Sequence, residues 1–140
     1  MCGLVCYVST FNSGFSLQEV EGLFNFVSKR NLQMGLTGVL LFSDNCFFQV
    51  LEGDFNVIEN LFERIKEDTR HYNIIKIIDD ENHERIFDEY FFGFLTVTSL
   101  EDRKWMEFFL ENYFNAESRN HKVILGLMKK FLKRFQPVID

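Results

Sequence analysis

Residues 35–53, GLTGVLLFSDNCFFQVLEG, decide the fold. Two apolar runs flank Asp44-Asn45, residue types that tolerate the backbone angles of a tight turn, so the stretch reads as a β-hairpin. Alternation along the second strand puts Phe47, Gln49 and Leu51 on one face and Cys46, Phe48 and Val50 on the other. Gln49 is the anomaly. Its amide brings two donors and two acceptor lone pairs among large apolar side chains, and leaving them unpaired would cost roughly 1–3 kcal/mol. Two readings stay open: a strand-end amide bonded to nearby backbone, or a group facing a bound polar ligand.

On the N-terminal side, GLVCYVS (Gly3–Ser9) fits a strand with Val5 and Tyr7 on one face and Leu4, Cys6 and Val8 on the other. Both faces are apolar, so the centre of the sheet should be covered on both sides. A turn at FNSG (Phe11–Gly14) leads to a helix from about Ser16 to Asn31, where Ser16 and Glu19 form a capping-box pattern. Val20, Phe24 and Val27 mark its apolar stripe, and the next step of four places the amide of Asn31 toward the sheet.

On the C-terminal side, Asp54 begins a helix that ends near Asp68, with Ile58, Leu61 and Ile65 inward. Arg64 and Asp68 stand four apart at the margin of that stripe, where an ion pair and a ligand contact are equally open. A turn at TRHYN, a strand IIKIID (Ile74–Asp79), a polar loop DENHER (Asp80–Arg85) and a last strand YFFGFLTVT (Tyr90–Thr98) follow. The order, βαββαβ with one extra strand, predicts an α+β ferredoxin-like sandwich: a five-stranded mixed sheet with two helices on one face. Ser99 caps a further helix whose Trp105, Phe108 and Phe109 read as core, and a last helix carries Ile124, Leu127, Met128, Phe131 and Phe135. This pair is expected to cover the second face, giving a domain over 1–98 and a helical extension over 99–140.

Composition narrows the function. A length of 140 residues suits one domain, no apolar run is long enough for a bilayer, and MCGLVCYVS lacks a basic segment followed by an extended apolar one, so a secretory leader is not expected. Cys2, Cys6 and Cys46 lack metal-ligand spacing and read as reduced thiols, which points to the cytoplasm. His71, His83 and His121 are scattered and read as structural or surface residues; no metal site is expected. A net charge of −6 argues against a broad nucleic-acid surface, and the KKFLKR run (Lys129–Arg134) reads as a solvated helix face. With no catalytic triad or P-loop, an enzyme is not expected.

With two helices sharing a sheet face, Tyr7, Asn31, Gln49, Arg64 and Asp68 converge on one layer, either paired among themselves or lining a pocket for a flat, heteroatom-rich ligand. Over roughly Leu4–Thr98 the chain resembles the BLUF domains, flavin-binding blue-light sensors. LVCYVS, NLQMGLTGVLLFSDNCFFQVLEGD, LFERIKEDTRH and RIFDEYFFGF carry the likeness, in order and without large gaps. The resemblance implies that Tyr7 is the photochemical tyrosine, Gln49 the photochemical glutamine and Asn31 the flavin-ring amide. It matches Arg64, Ile65, Asp68 and Arg70 to further flavin contacts, with Arg30 helping to hold the ring or the phosphates.

It also implies FAD as chromophore, with FMN or riboflavin as alternatives. Light then drives electron and proton transfer from the tyrosine to the flavin while the glutamine rearranges its hydrogen bonds. The family usually has Trp-Ser/Ala-Met where this chain has Tyr90, Phe91 and Phe92. Phe92 cannot accept a hydrogen bond as the methionine does, which bears on signal transmission through Tyr90 and Phe92 and on dark recovery. No effector domain is expected after residue 98, so output would pass to a separate signalling protein or through a homo-oligomer, without nucleic acid or membrane. Two alternatives are a light-insensitive flavin-binding adaptor of the same fold and, more remotely, an RNA-binding sandwich.

Overall fold

The decisive hairpin forms as read. In the computed structural model, which describes residues 2–87, 94–114 and 116–134, β2 (Thr37–Ser43) and β3 (Cys46–Gly53) pair antiparallel with Ser43 opposite Cys46. Asp44 and Asn45 take φ of +52° and +61°, the two positive values that a two-residue type I′ turn needs.

The remaining elements are β1 (Cys2–Phe11), α1 (Leu17–Gln33), α2 (Phe55–Glu67), β4 (His71–His83), β5 (Phe94–Val97), α3 (Leu100–Asn112) and α4 (Arg119–Lys133). The sheet order is β4-β1-β3-β2-β5, antiparallel except for the parallel β2–β5 pair. This is the five-stranded mixed sheet of the expected ferredoxin-like α+β fold.

Local chemistry sets the helix starts. The Ser16 hydroxyl accepts from the Glu19 amide at 3.2 Å while Glu19 Oε1 accepts from the Ser16 amide at 3.1 Å, a closed capping box. Asp54 caps α2 through the amides of Asn56 and Val57, and Ser99 and Ser118 cap α3 and α4. Gly53 at φ +155° makes the sharp exit from β3 into α2, and a Cβ there would lie 2.6 Å from Leu36 Cδ2.

Both sheet faces are buried. Val5, Tyr7, Leu40, Phe47 and Leu51 meet Val20, Phe24 and Val27 of α1 and Ile58, Leu61, Phe62 and Ile65 of α2. On the reverse face Leu4, Cys6, Val39, Leu41, Phe48 and Val50 meet Met106, Phe109 and Leu110 of α3 and Ile124, Met128 and Leu132 of α4. Each fully buried large side chain contributes about 1.5–3 kcal/mol of transfer free energy, so both helix pairs have a strong apolar reason to stay on the sheet.

Two sequence expectations need correction. β4 begins at His71 and runs through Asp80–His83, residues read as turn and polar loop, because the ten-residue β1 supplies partners as far as Cys2 opposite His83. As an edge strand it keeps polar side chains in water while its backbone pairs, and it leaves Ile75 exposed. Trp105 and Phe108 are not core: Phe108 is exposed and the two rings stack on each other, while Met106, Phe109 and Leu110 face inward. The last strand is described only over Phe94–Val97; Tyr90, Phe92 and Phe135 lie outside the described residues.

Candidate functional site

β1 and β3 pair with Tyr7 directly opposite Gln49, both pointing into the layer beneath α1 and α2. Gln49 Nε2 donates to the Tyr7 hydroxyl, and Gln49 Oε1 accepts from Asn31 Nδ2 at 3.4 Å. Asn31 Oδ1 in turn accepts from Arg30 Nε at 3.3 Å. The result is a chain of donors running from α1 to the sheet: Arg30, Asn31, Gln49, Tyr7. It answers the anomaly of Gln49, whose two ends bond to side chains and not to a strand-end backbone.

A cleft opens beside this chain. Leu23, Val27, Leu40, Phe47 and Ile65 supply apolar wall, and Tyr7, Gln49, Arg30, Arg64, Asp68, Arg70 and His71 supply polar groups. The cleft itself is narrow, about 70 Å³, and opens to solvent at its mouth. Seven of the eight sequence-assigned flavin residues line it. Asn31, wholly buried, meets the cleft through its bonds to Gln49 and Arg30.

Asp68 does not pair with Arg64. It takes Arg70, whose Nε reaches Oδ1 at 2.9 Å and whose Nη2 reaches Oδ2 at 2.5 Å, a two-pronged ion pair beyond the end of α2. Burial works to raise the Asp68 pKa, but the hydrogen bonds and charge of Arg70 outweigh it and hold the carboxyl below its ordinary range. The pairing leaves Arg64 exposed at the mouth.

His71 was missed as a site residue, although it ends the DTRH run that sequence reading had quoted. Its Nδ1 lies 2.7 Å from Ser9 Oγ and its Nε2 donates to the Ile65 carbonyl at 2.7 Å, so the ring bridges β1 and α2 at the cleft wall. Its ring also packs edge-on against Tyr7, 6.3 Å between centroids.

The electrostatics divide the cleft. Burial raises the Tyr7 pKa well above its ordinary value, with the Gln49 bond and the Arg30 charge opposing only in part, so the phenol holds its proton. At the mouth, burial lowers the Arg30 pKa and the neighbouring charges of Arg64 and Arg70 push the same way, against attraction from Tyr7 and Asp68. Three guanidiniums close enough to feel one another make an anion-seeking rim around a neutral, hydrogen-bonding interior. Among the described residues no cluster of His, Cys, Asp or Glu could hold a metal, and no helix is long and apolar enough to cross a membrane.

Comparison with known proteins identifies the family. The family model for BLUF, sensors of blue-light using FAD, matches residues 3–93. The blue light- and temperature-regulated antirepressor BluF of Escherichia coli (strain K12) is 32% identical over 87 residues, covering 62% of this chain and 22% of that protein. The ground-state structure of BlsA is 31% identical with a TM-score of 0.67, covering 97% of this chain and 91% of that one. Klebsiella pneumoniae BlrP1, solved with FMN and cyclic diGMP, is 26% identical with a TM-score of 0.72, covering 92% of this chain and 35% of that one. The chain thus spans about a fifth of the antirepressor and about a third of BlrP1. It belongs to the BLUF family of flavin-dependent blue-light sensors, a family of sensor domains and not of catalysts.

Proposed function

We propose that this member of the BLUF family senses blue light through the pair Tyr7 and Gln49 beside an FAD held in the cleft. The observation that carries the reading is the buried donor chain from Asn31 through Gln49 to Tyr7, which ends at the cleft wall. Bound flavin supplies light absorption and a transient acceptor for an electron and a proton.

The chain's own residues do the rest. Apolar side chains from α1, α2 and the sheet would hold a flat ring system and exclude water, and Gln49, fixed by its two side-chain partners, would offer it a hydrogen-bonding group. Arg30, Arg64 and Arg70 form a rim for phosphate groups, which favours FAD or FMN over riboflavin. Tyr7 keeps its phenol proton in the dark and is the residue placed to give it up.

Gln49 is the switch because an amide carries a donor and an acceptor on interchangeable sites. Turning the amide over aims Oε1 at the Tyr7 hydroxyl, which can then donate, but sets Nε2 against the donating Nδ2 of Asn31. The observed orientation satisfies both contacts, whereas the turned one satisfies only the Tyr7 contact unless Asn31 responds. That conflict lets a local proton movement alter the join between α1 and β3. Residues 1–98 act in this reading as the sensor unit and 99–140 as its output extension, passing the signal to a separate protein or across a homo-oligomer.

The test is the visible absorption spectrum of the flavin-loaded protein, in the dark, after blue light and through recovery. A reversible shift to longer wavelength is expected, lost in Gln49→Leu and Tyr7→Phe. Full photocycling in either variant would sink the assignment, and bound flavin without any shift would favour the light-insensitive adaptor. Chromatography of the released cofactor distinguishes FAD from FMN.

A further inference from the structure

The reverse face of β3 carries a second buried polar cluster that the cleft does not use. Glu52 lies three residues beyond Gln49 on the opposite side of the strand and is 0% exposed. Its Oε2 accepts from His83 Nε2 at 2.8 Å and from the Ile86 amide at 2.7 Å, and its Oε1 accepts from the Phe87 amide at 2.8 Å. Arg85 adds a bond from Nη1 to Thr37 Oγ1 at 2.6 Å, and Thr37 is the β2 residue paired with Glu52. Residues 83–87 are therefore fastened to the hairpin by one carboxylate and one hydroxyl.

The same segment is gripped from its other side by the C-terminal helices. His121 of α4 donates through Nε2 to the Glu84 carbonyl at 3.0 Å, and its ring packs edge-on against His83 with centroids 5.1 Å apart. Phe87 stacks on Phe109 of α3 at 5.7 Å. A continuous path thus runs from β3 through Glu52 to residues 83–87, and from there to both α3 and α4.

We propose that Glu52 is a positioning residue that couples Gln49 to the C-terminal helices. The proposal rests on Gln49 being the light-driven switch. Gln49 and Glu52 share one short, wholly buried strand that is paired on both edges, so a displacement at Gln49 cannot dissipate in a flexible loop before it reaches Glu52. The carboxylate is acceptor-only and holds three donors at once, so the segment it holds follows the strand. His121 then carries that movement to the first turn of α4, and Phe87 carries it to the last turn of α3.

Hydrogen–deuterium exchange on the full flavin-loaded chain, in the dark and under blue light, tests this when absorption is recorded on the same samples. In the unmodified protein, light is expected to change exchange at least about twofold in residues 84–87 and 119–133. Glu52→Gln keeps the shape but turns an N–H₂ toward existing donors. It should retain the reversible spectral shift and lose the light response of 119–133. His121→Phe keeps the ring and removes its donor; it should retain the response of 84–87 and lose that of 119–133, and it decides the matter alone if Glu52→Gln does not fold.

A spectral shift with no change at 119–133 in the unmodified protein would overturn the coupling while leaving the photochemistry intact. So would variants that transmit as the unmodified protein does. Absence of any spectral shift in the unmodified protein would instead overturn the switch, and the coupling with it.

Discussion

The two faces of β3 hold two buried polar clusters built on opposite principles. Beneath α1 and α2, Tyr7, Gln49 and Asn31 are joined by single bonds between neutral groups that can exchange donor and acceptor roles, and an open cleft lies alongside. Beneath α3 and α4, the Glu52 carboxylate accepts three bonds, from His83, Ile86 and Phe87. The first arrangement has more than one way to satisfy its members; the second has one. A strand flanked by both is suited to carry a rearrangement made on one side to a rigid attachment on the other.

The largest stability effect belongs to the attachment. Glu52→Ala removes the acceptor and leaves the His83 ring and two backbone amides buried without it, at an expected cost of about 3–5 kcal/mol, measured by urea unfolding. Gln49→Leu should cost less, about 1–2 kcal/mol, because the freed Tyr7 hydroxyl borders the open cleft and regains partners there. Equal costs for the two substitutions would erase the distinction between switch and attachment.

A smaller effect is expected at the Asp68–Arg70 pair. The folded Asp68 carboxyl sits below its ordinary value of 3.8, so its contribution is present above that value and fades as pH falls through the lower folded value. Urea midpoints of the unmodified protein and Asp68→Asn, compared from about pH 6 to about pH 3, should differ by at most about 1 kcal/mol and converge toward acid. Smallest of all, Phe108→Gln should change stability by no more than about 0.5 kcal/mol, since that ring is exposed and, among the described residues, meets the rings of Trp105 and Tyr113. Thermal melting of this variant beside Phe109→Ala, expected to cost about 3–5 kcal/mol, checks which aromatics belong to the core.

Much of the cleft side was legible in the linear sequence. Alternation placed Tyr7 and Gln49 inward, the four-residue stripe of α1 carried Asn31 toward them, and the DTRH run marked the turn after α2. The polar cluster on the reverse side was not legible. Glu52 read as the end of a strand, His83 as part of a polar loop and His121 as one scattered histidine. Asp68 showed a similar limit: its spacing suggested Arg64, but the chain leaves the helix after Glu67 and delivers Arg70 instead.

The sequence by itself determined the periodic features, because side-chain direction within one strand or helix follows from backbone geometry over a few residues. Hence the hairpin turn, the capping box of α1, the inward faces of β1, β3, α1 and α2 and the family likeness could all be read without coordinates. Only the tertiary structure decided which polar groups meet. Glu52 finds partners 31 to 35 residues away, and His121 reaches a carbonyl 37 residues back. Such meetings depend on strand register, on how far β4 continues along β1, and on where α4 crosses the sheet, none of which a local pattern encodes.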